Sequence, residues 1–194
     1  MVQRGAHNYA GPNCPGKGWT CTTAKRVLQI AKGKNDDNNF VCAGGSGGTP
    51  PGDCTIFQFS SSGADNNARC VERSSNAAAD QNCAVTQFTN GGNNSVQIQQ
   101  QVDAKDGVTQ SATQYGGVRQ TTNGAGKNDV QINQDLKQSV NKDTDGSGTQ
   151  TQDGHQQGSV TQQSDTGNNT AQVDQSLAQK ADACLLYTSP SPRD

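Results

Sequence analysis

The sequence predicts an all-β protein, a β-solenoid of stacked strand–turn–strand repeats with a disulfide-rich cap at its N-terminal end. Three observations carry this prediction. One pattern recurs five times, in copies that open at Val27, Ile56, Val85, Val118 and Val160. Within each copy the recurring residues alternate with a period of two, which places their side chains on one face of a strand. Each copy is broken by a turn rich in Gly and Asn, residues that tolerate positive φ. Such repetition marks an array whose units bury a core only by stacking on one another.

The clearest copy is Val85–Val102, V-T-Q-F-T-N-G-G-N-N-S-V-Q-I-Q-Q-Q-V. Val85 and Gln87 share a face, as do Asn94, Val96, Ile98 and Gln100, whereas Thr86, Ser95, Gln97 and Gln99 point to water. Asn90–Asn93 is the turn. The pattern returns as Val118–Leu136 and as Val160–Leu177. Two earlier copies are looser. Ile56–Ser74 keeps Ile56, Gln58, Gly63, Asn66, Ala68 and Cys70, and Val27–Cys42 keeps Val27, Gln29, Gly33, Asn38, Phe40 and Cys42.

A lone hairpin of this kind has too little apolar surface to stand in water. Stacking would align Val27, Ile56, Val85, Val118 and Val160 in one inward column and Cys42, Cys70, Ile98, Ile132 and Val173 in another. The retained Gln and Asn would align as well, and stacked carboxamides hydrogen-bond into ladders along the stacking axis.

Composition sets the bounds. The chain has 194 residues, of which 29% are hydrophobic, 4% are aromatic and 23 are Gly. Typical domains are about 45–50% apolar when Gly is counted, so a core of ordinary thickness is not expected. A thin repetitive β-stack and a disordered chain both fit this composition; the five-fold spacing and the regular cysteines select the stack. Net charge is −2 and no basic cluster is interleaved with aromatics, so nucleic-acid binding has no electrostatic footprint. No apolar run approaches the roughly 18 residues of a membrane span.

The chain divides into residues 1–26, which lack the repeat and form the expected cap, the repeat domain 27–183, and a tail, 184–194. The opening M-V-Q-R-G-A-H-N-Y-A-G has no apolar signal-peptide core, so an export signal is expected to have been removed or to lie upstream. Of the seven cysteines, six remain when Cys184 in the tail is set aside. Cys14 and Cys21 would close the cap. Cys54 and Cys83 each stand two residues before the opening residue of a copy, while Cys42 and Cys70 occupy one column, so the repeat favours Cys42–Cys54 and Cys70–Cys83. Each bridge would close a loop of about a dozen residues, worth roughly 3 kcal/mol in the chain-entropy model, and would place the protein in an oxidising compartment. The later copies have no cysteines, and order is expected to decline toward the C-terminus. Gly107–Gln114 and Thr149–Gln152 alternate, so extra strands are expected there.

The spacing Q-x4-G-x-N-x-A-x3-Q resembles the repeat of curlin, the major subunit of curli fibres. Gln162, Gly167, Asn169, Ala171 and Gln175 match it in full. Gln87, Gly92, Asn94, Val96 and Gln100 match with Val for Ala, and Gln120, Gly126, Asn128, Val130 and Gln134 match with one inserted residue. In the second copy Glu72 replaces the final Gln. The resemblance implies a secreted, self-assembling fibre subunit of a biofilm matrix, a functional amyloid. The tail Cys184–Asp194, C-L-L-Y-T-S-P-S-P-R-D, is similar to a translated sequencing adapter. That likeness implies an environmental sequence assembly whose natural C-terminus, and with it further repeats, is missing.

Candidate chemistry is sparse. Asp143-Thr-Asp145-Gly-Ser147-Gly148 resembles the front of a calcium loop, but position twelve is Gly154 with Asp153 one place early, and a polar turn accounts for the segment. Gly44–Gly48 is followed by no G-K-[ST] and is not a phosphate loop. His7 and His155 are poorly placed to complete a zinc site, and there is no C-x2-C pair. No nucleophile motif is present, so no catalytic, cofactor or metal residue is assigned and the chain is read as a non-enzyme. The outward column Leu28, Phe57, Thr86, Arg119 and Thr161 is too uneven for the Thr ladder of an ice-binding solenoid. The expected role is a secreted structural protein, a self-assembling (head-to-tail) or adhesive fibre or matrix component. A polysaccharide- or surface-binding module and an ice-binding solenoid are the alternatives.

Overall fold

The structure is a computed structural model, and it describes residues 1–5, 7–11, 19–22, 24–34, 36–44, 53–76, 78–105, 109–140 and 151–181. Cys14 and with it the Cys14–Cys21 bridge, Gly45–Gly48, Asp143–Ser147 and the tail Cys184–Asp194 lie outside the described residues.

Among the described residues all regular structure is β. The strands are β1 (Val2–Arg4), β2 (His7–Ala10), β3 (Trp19–Thr22), β4 (Arg26–Ala31), β5 (Asn38–Gly44), β6 (Cys54–Ser60), β7 (Asn66–Ser74), β8 (Ala78–Asn90), β9 (Asn94–Lys105), β10 (Thr109–Asn123), β11 (Asn128–Val140), β12 (Thr151–Ser164) and β13 (Asn169–Ala181). They form two parallel sheets in the orders β1-β4-β6-β8-β10-β12 and β13-β11-β9-β7-β5-β2-β3. β2 and β3 lie side by side in the second sheet, and from β3 onward consecutive strands alternate between the sheets, so each strand–turn–strand unit adds one strand to both. This is a two-sheet β-solenoid.

The register is the one the repeat dictates. Val27 pairs with Ile56, Ile56 with Val85, Val85 with Val118 and Val118 with Val160. On the facing sheet Cys42, Cys70, Ile98, Ile132 and Val173 pair in succession. Both columns point inward, and their members down to Val118 and Ile132 form the main apolar core together with Phe40, Ala68, Val96 and Val130. A smaller core of Ala79, Val102, Ala104, Ala112 and Leu136 fills the added width of the later rungs.

The repeat begins earlier than Val27. β1 pairs with β4 and β2 with β5, which sets Gln3 beside Gln29 and Asn8 beside Asn38. Residues 2–10 are thus a sixth, narrow rung. Only Gln3, Asn8 and Ala10 of the pattern survive there among the described residues, too little to be seen in a sequence. β3 pairs with β2 beyond this rung and is the N-terminal edge strand of the second sheet among the described residues.

The described residues of the alternating segments Gly107–Gln114 and Thr149–Gln152 are strand, and they open β10 and β12 instead of forming separate strands. The strands lengthen along the chain, from 3 and 4 residues in the first rung to 14 and 13 in the last described one.

Cys42–Cys54 and Cys70–Cys83 are both bonded. Each links the second strand of one rung to the first strand of the next. Gly116 and Gly158 occupy the Cys54–Cys83 column in later rungs. A Cβ on Gly116 would lie 3.2 Å from Ile132 and 3.5 Å from Ile98, and one on Gly158 would lie 2.7 Å from Val173. The same inter-sheet gap is therefore filled by Cys–Cys early in the chain and by Ile or Val against Gly later.

The turns hold two stacked columns of small residues. Gly63, Gly91 and Gly124 have φ of 82°, 84° and 87°. Behind them stand Ala64, Gly92, Gly126 and Gly167, where a Cβ on Gly92 or Gly126 would fall 2.0 or 1.7 Å from the carbonyl oxygen of the rung before. Gly63 therefore aligns with Gly91 and not, as spacing from Gln58 suggests, with Gly92. The extra residue of the second copy lies ahead of Gly63.

Two outcomes follow. Gly126→Ala forces successive turns apart and should destabilise the protein by about 1–3 kcal/mol, read as a lower denaturant midpoint. The double substitution Ile98→Cys with Gly116→Cys should create a further bridge, detected as a mass loss of one bond's two hydrogens with no free thiol at either position.

Candidate functional site: amide ladders and the end rung

The feature that sets this solenoid apart is a core lined with carboxamides. Gln3, Gln29, Gln58, Gln87 and Gln120 are all buried, and each is bonded to the next. Gln29 Nε2 donates to Gln3 Oε1 at 2.9 Å, Gln58 to Gln29 at 2.8 Å, Gln87 to Gln58 at 2.7 Å and Gln120 to Gln87 at 2.8 Å. Gln162 continues the column onto Gln120 at 2.9 Å. The second amide hydrogen crosses to the facing sheet: Gln58 donates to Asn67 O at 2.9 Å and Gln87 to Ser95 O at 3.0 Å. An unpaired buried amide costs roughly 1–3 kcal/mol for each polar group left without a partner. Here every hydrogen and oxygen of an interior Gln is used, and the column also ties the sheets together.

Further Gln columns repeat this logic. Gln100, Gln134 and Gln175 run from Glu72; Gln81, Gln114 and Gln156 form another column, and Gln110 with Gln152 and Gln138 with Gln179 form shorter ones. Asn8, Asn38, Asn66, Asn94, Asn128 and Asn169 make a ladder at the turn. Its bonds point the other way, from each Nδ2 to the Oδ1 of the following rung.

Glu72 heads its column. It is fully buried, accepts from Gln100 Nε2 at 2.8 Å through Oε2, and has no partner for Oε1 among the described residues. Burial pushes its carboxyl up to about 7, against smaller lowering effects from the Gln100 hydrogen bond and Lys25; Asp53 adds a small upward push.

At the other end the last described rung has a neighbour on one side only among the described residues. Val173 and Leu177 there are 40% and 50% exposed although their columns are buried below. Outward faces are mostly polar. One exception is a strip on the first sheet, where Phe57 and Phe59 are exposed and Phe59 stacks on Phe88 with ring centroids 5.0 Å apart. A ring stacked on its neighbour along the column offers solvent its edge and not the face that a sugar ring would need. A shallow polar groove on the second sheet crosses three rungs, between Gln99, Asn133 and Asp174 on one side and Gln101, Asp135 and Ser176 on the other.

The structure places the remaining sequence candidates apart. His7 lies in β2 and exposed His155 in β12. No group of three or more metal-ligating side chains occurs among the described residues. Leu28, Phe57, Thr86, Arg119 and Thr161 do stack as the expected outward column, with Val2 below them. Among the described residues no helix is long and apolar enough to cross a membrane. The bonded cysteines are compatible with an oxidising location. What the sequence missed is Glu72 as a buried carboxyl and the Gln81, Gln110 and Gln138 columns. The signal for the columns was present in the equal spacing of Gln81, Gln114 and Gln156 from Val85, Val118 and Val160.

Comparison of the chain with family models, with curated proteins and with solved structures finds no match.

Because Glu72 holds its proton more tightly when folded, stability should fall as pH rises from about 4.5 to about 7. Glu72→Gln removes that dependence. The variant should be more stable than the parent at pH 8 by on the order of 3 kcal/mol and nearly equal to it at pH 4, as measured by urea unfolding at the two pH values.

Proposed function

We propose that this protein is a secreted structural component that assembles through its stacked rungs into fibres or an extracellular matrix, without catalytic activity. The observation that carries this reading is the end rung. Two strands of 14 and 13 residues stand there, each with one edge unpaired among the described residues and with half-exposed apolar side chains. Long unpaired edges template further strands, and stacked parallel strands with amide ladders are the bonding of cross-β fibres. The likeness of the repeat to that of curlin supports the same role, as do disulfides compatible with an oxidising compartment.

A binding role is the second reading, and the polar groove across three rungs favours it. A polysaccharide lying along the solenoid axis would meet amide and carboxylate groups repeated at about 4.8 Å, able to bond sugar hydroxyls.

Purified chain incubated at high concentration should bind thioflavin T and show unbranched filaments by electron microscopy. Monomers that persist without filaments would reject assembly. Saturable binding on a glycan array under the same conditions would then select the groove.

A further inference from the structure

The amide columns have a direction, and this direction selects what can occupy the β12–β13 end. In the inward-facing Gln columns every bond between rungs runs from Nε2 of one rung to a side-chain oxygen of the rung before it; only the exposed outward pair Gln97–Gln131 runs the other way among the described residues. The orientation is fixed by the facing sheet. The same Nε2 also donates to a backbone carbonyl there, as Gln156 does to Ser176 O at 2.9 Å and Gln162 to Thr170 O at 2.9 Å. Turning either amide over would set oxygen against oxygen. Among the described residues the last rung consequently presents a row of bare acceptors, Oε1 of Gln152, Gln156, Gln162, Gln175 and Gln179. The Asn ladder runs in the opposite sense, since Asn128 Nδ2 donates to Asn169 Oδ1 at 2.8 Å. Asn169 therefore offers its N–H groups to whatever follows.

We infer that the β12–β13 end binds a strand–turn–strand segment of this same repeat class, presented by its N-terminal side, which donates at the Gln columns and accepts at the Asn column. Two other occupants are disfavoured. A second folded copy joined end to end by its own β12–β13 rung would face acceptor to acceptor at every Gln column. A second folded copy joined by its N-terminal end has the right polarity there, as the buried and unpartnered Asn8 Oδ1 shows. It is too narrow, however, with β1 and β2 of 3 and 4 residues against 14 and 13, and β3 already lies on β2. A repeat segment of full width, still extended when it arrives, satisfies the polarity and covers Val173 and Leu177. This inference rests on the assembly reading and names the species that adds and the end at which it does so.

The test uses the full chain and a fluorescently labelled synthetic peptide of residues 151–181 as probe. Fluorescence anisotropy should show saturable binding of one peptide per chain. A peptide carrying Gln156→Glu, Gln162→Glu and Gln175→Glu sets carboxylates against the acceptor row, so it should bind at least tenfold more weakly at pH 8. It should recover at pH 4, where a protonated Glu again donates. In the full chain, Val173→Lys with Leu177→Lys should abolish capture of the unmodified peptide, and Val2→Lys at the opposite end should leave it unchanged. Absence of peptide binding, equal binding of both peptides at pH 8, or capture that survives the end-rung substitutions would overturn the inference. Peptide capture without filaments would sink the assembly reading and leave the inference standing. Filament growth that excess peptide does not slow would overturn the inference and leave assembly intact.

Discussion

A buried carboxamide has two hydrogens and an oxygen that must all find partners, and this requirement governs the molecule. Stacking meets it at every level at once. With rungs about 4.8 Å apart, a Gln above a Gln can donate to it, accept from the next, and reach across to the opposite backbone. Each column is satisfied only while equivalent residues remain superposed. A slip by one residue would turn the amides outward and carry Thr86 or Arg119 into the core. The aliphatic columns supply most of the burial energy, but their side chains would tolerate a small offset. The amides would not, so they set the register.

This explains how so little apolar sequence sustains an ordered chain. The two inner faces are half polar, with Val85 followed inward by Gln87 and Thr89, and Ile98 by Gln100 and Val102. Where rungs are short, disulfides tie one to the next; where they are long, added ladders and a second apolar cluster do so. Cys54, Cys83, Gly116 and Gly158 sharing one column shows the two solutions exchanged at a fixed position. At Glu72 a carboxyl stands in an amide column with one oxygen left without a partner among the described residues, and burial raises its pKa accordingly.

Much of this was legible in the residues. The period of two, the five openings and the offsets of Cys54 and Cys83 from Ile56 and Val85 gave the columns, the inward faces and both bridges. The rest was hidden for physical reasons. Gln3, Asn8 and Ala10 suffice to hold a rung once neighbours exist above them, yet three residues carry no visible period. Gly63 sits at the spacing of Gly92 but aligns with Gly91, because a turn absorbs an extra residue at whichever point avoids a carbonyl of the rung before. The direction of the amide bonds, and with it the inequality of the two ends, depends on which backbone oxygen lies across the core. No one-dimensional pattern records that.

The interdependence of stacked amides is the central claim, and a double-mutant cycle on Gln58 and Gln87 measures it most directly. Each would be replaced by Leu singly and together, and stability read by urea unfolding. If the two amides act as one column, the single replacements each strand a buried partner and the pair costs clearly less than their sum, with a coupling of about 1–3 kcal/mol. Strict additivity, with no coupling beyond about 0.5 kcal/mol, would contradict the account.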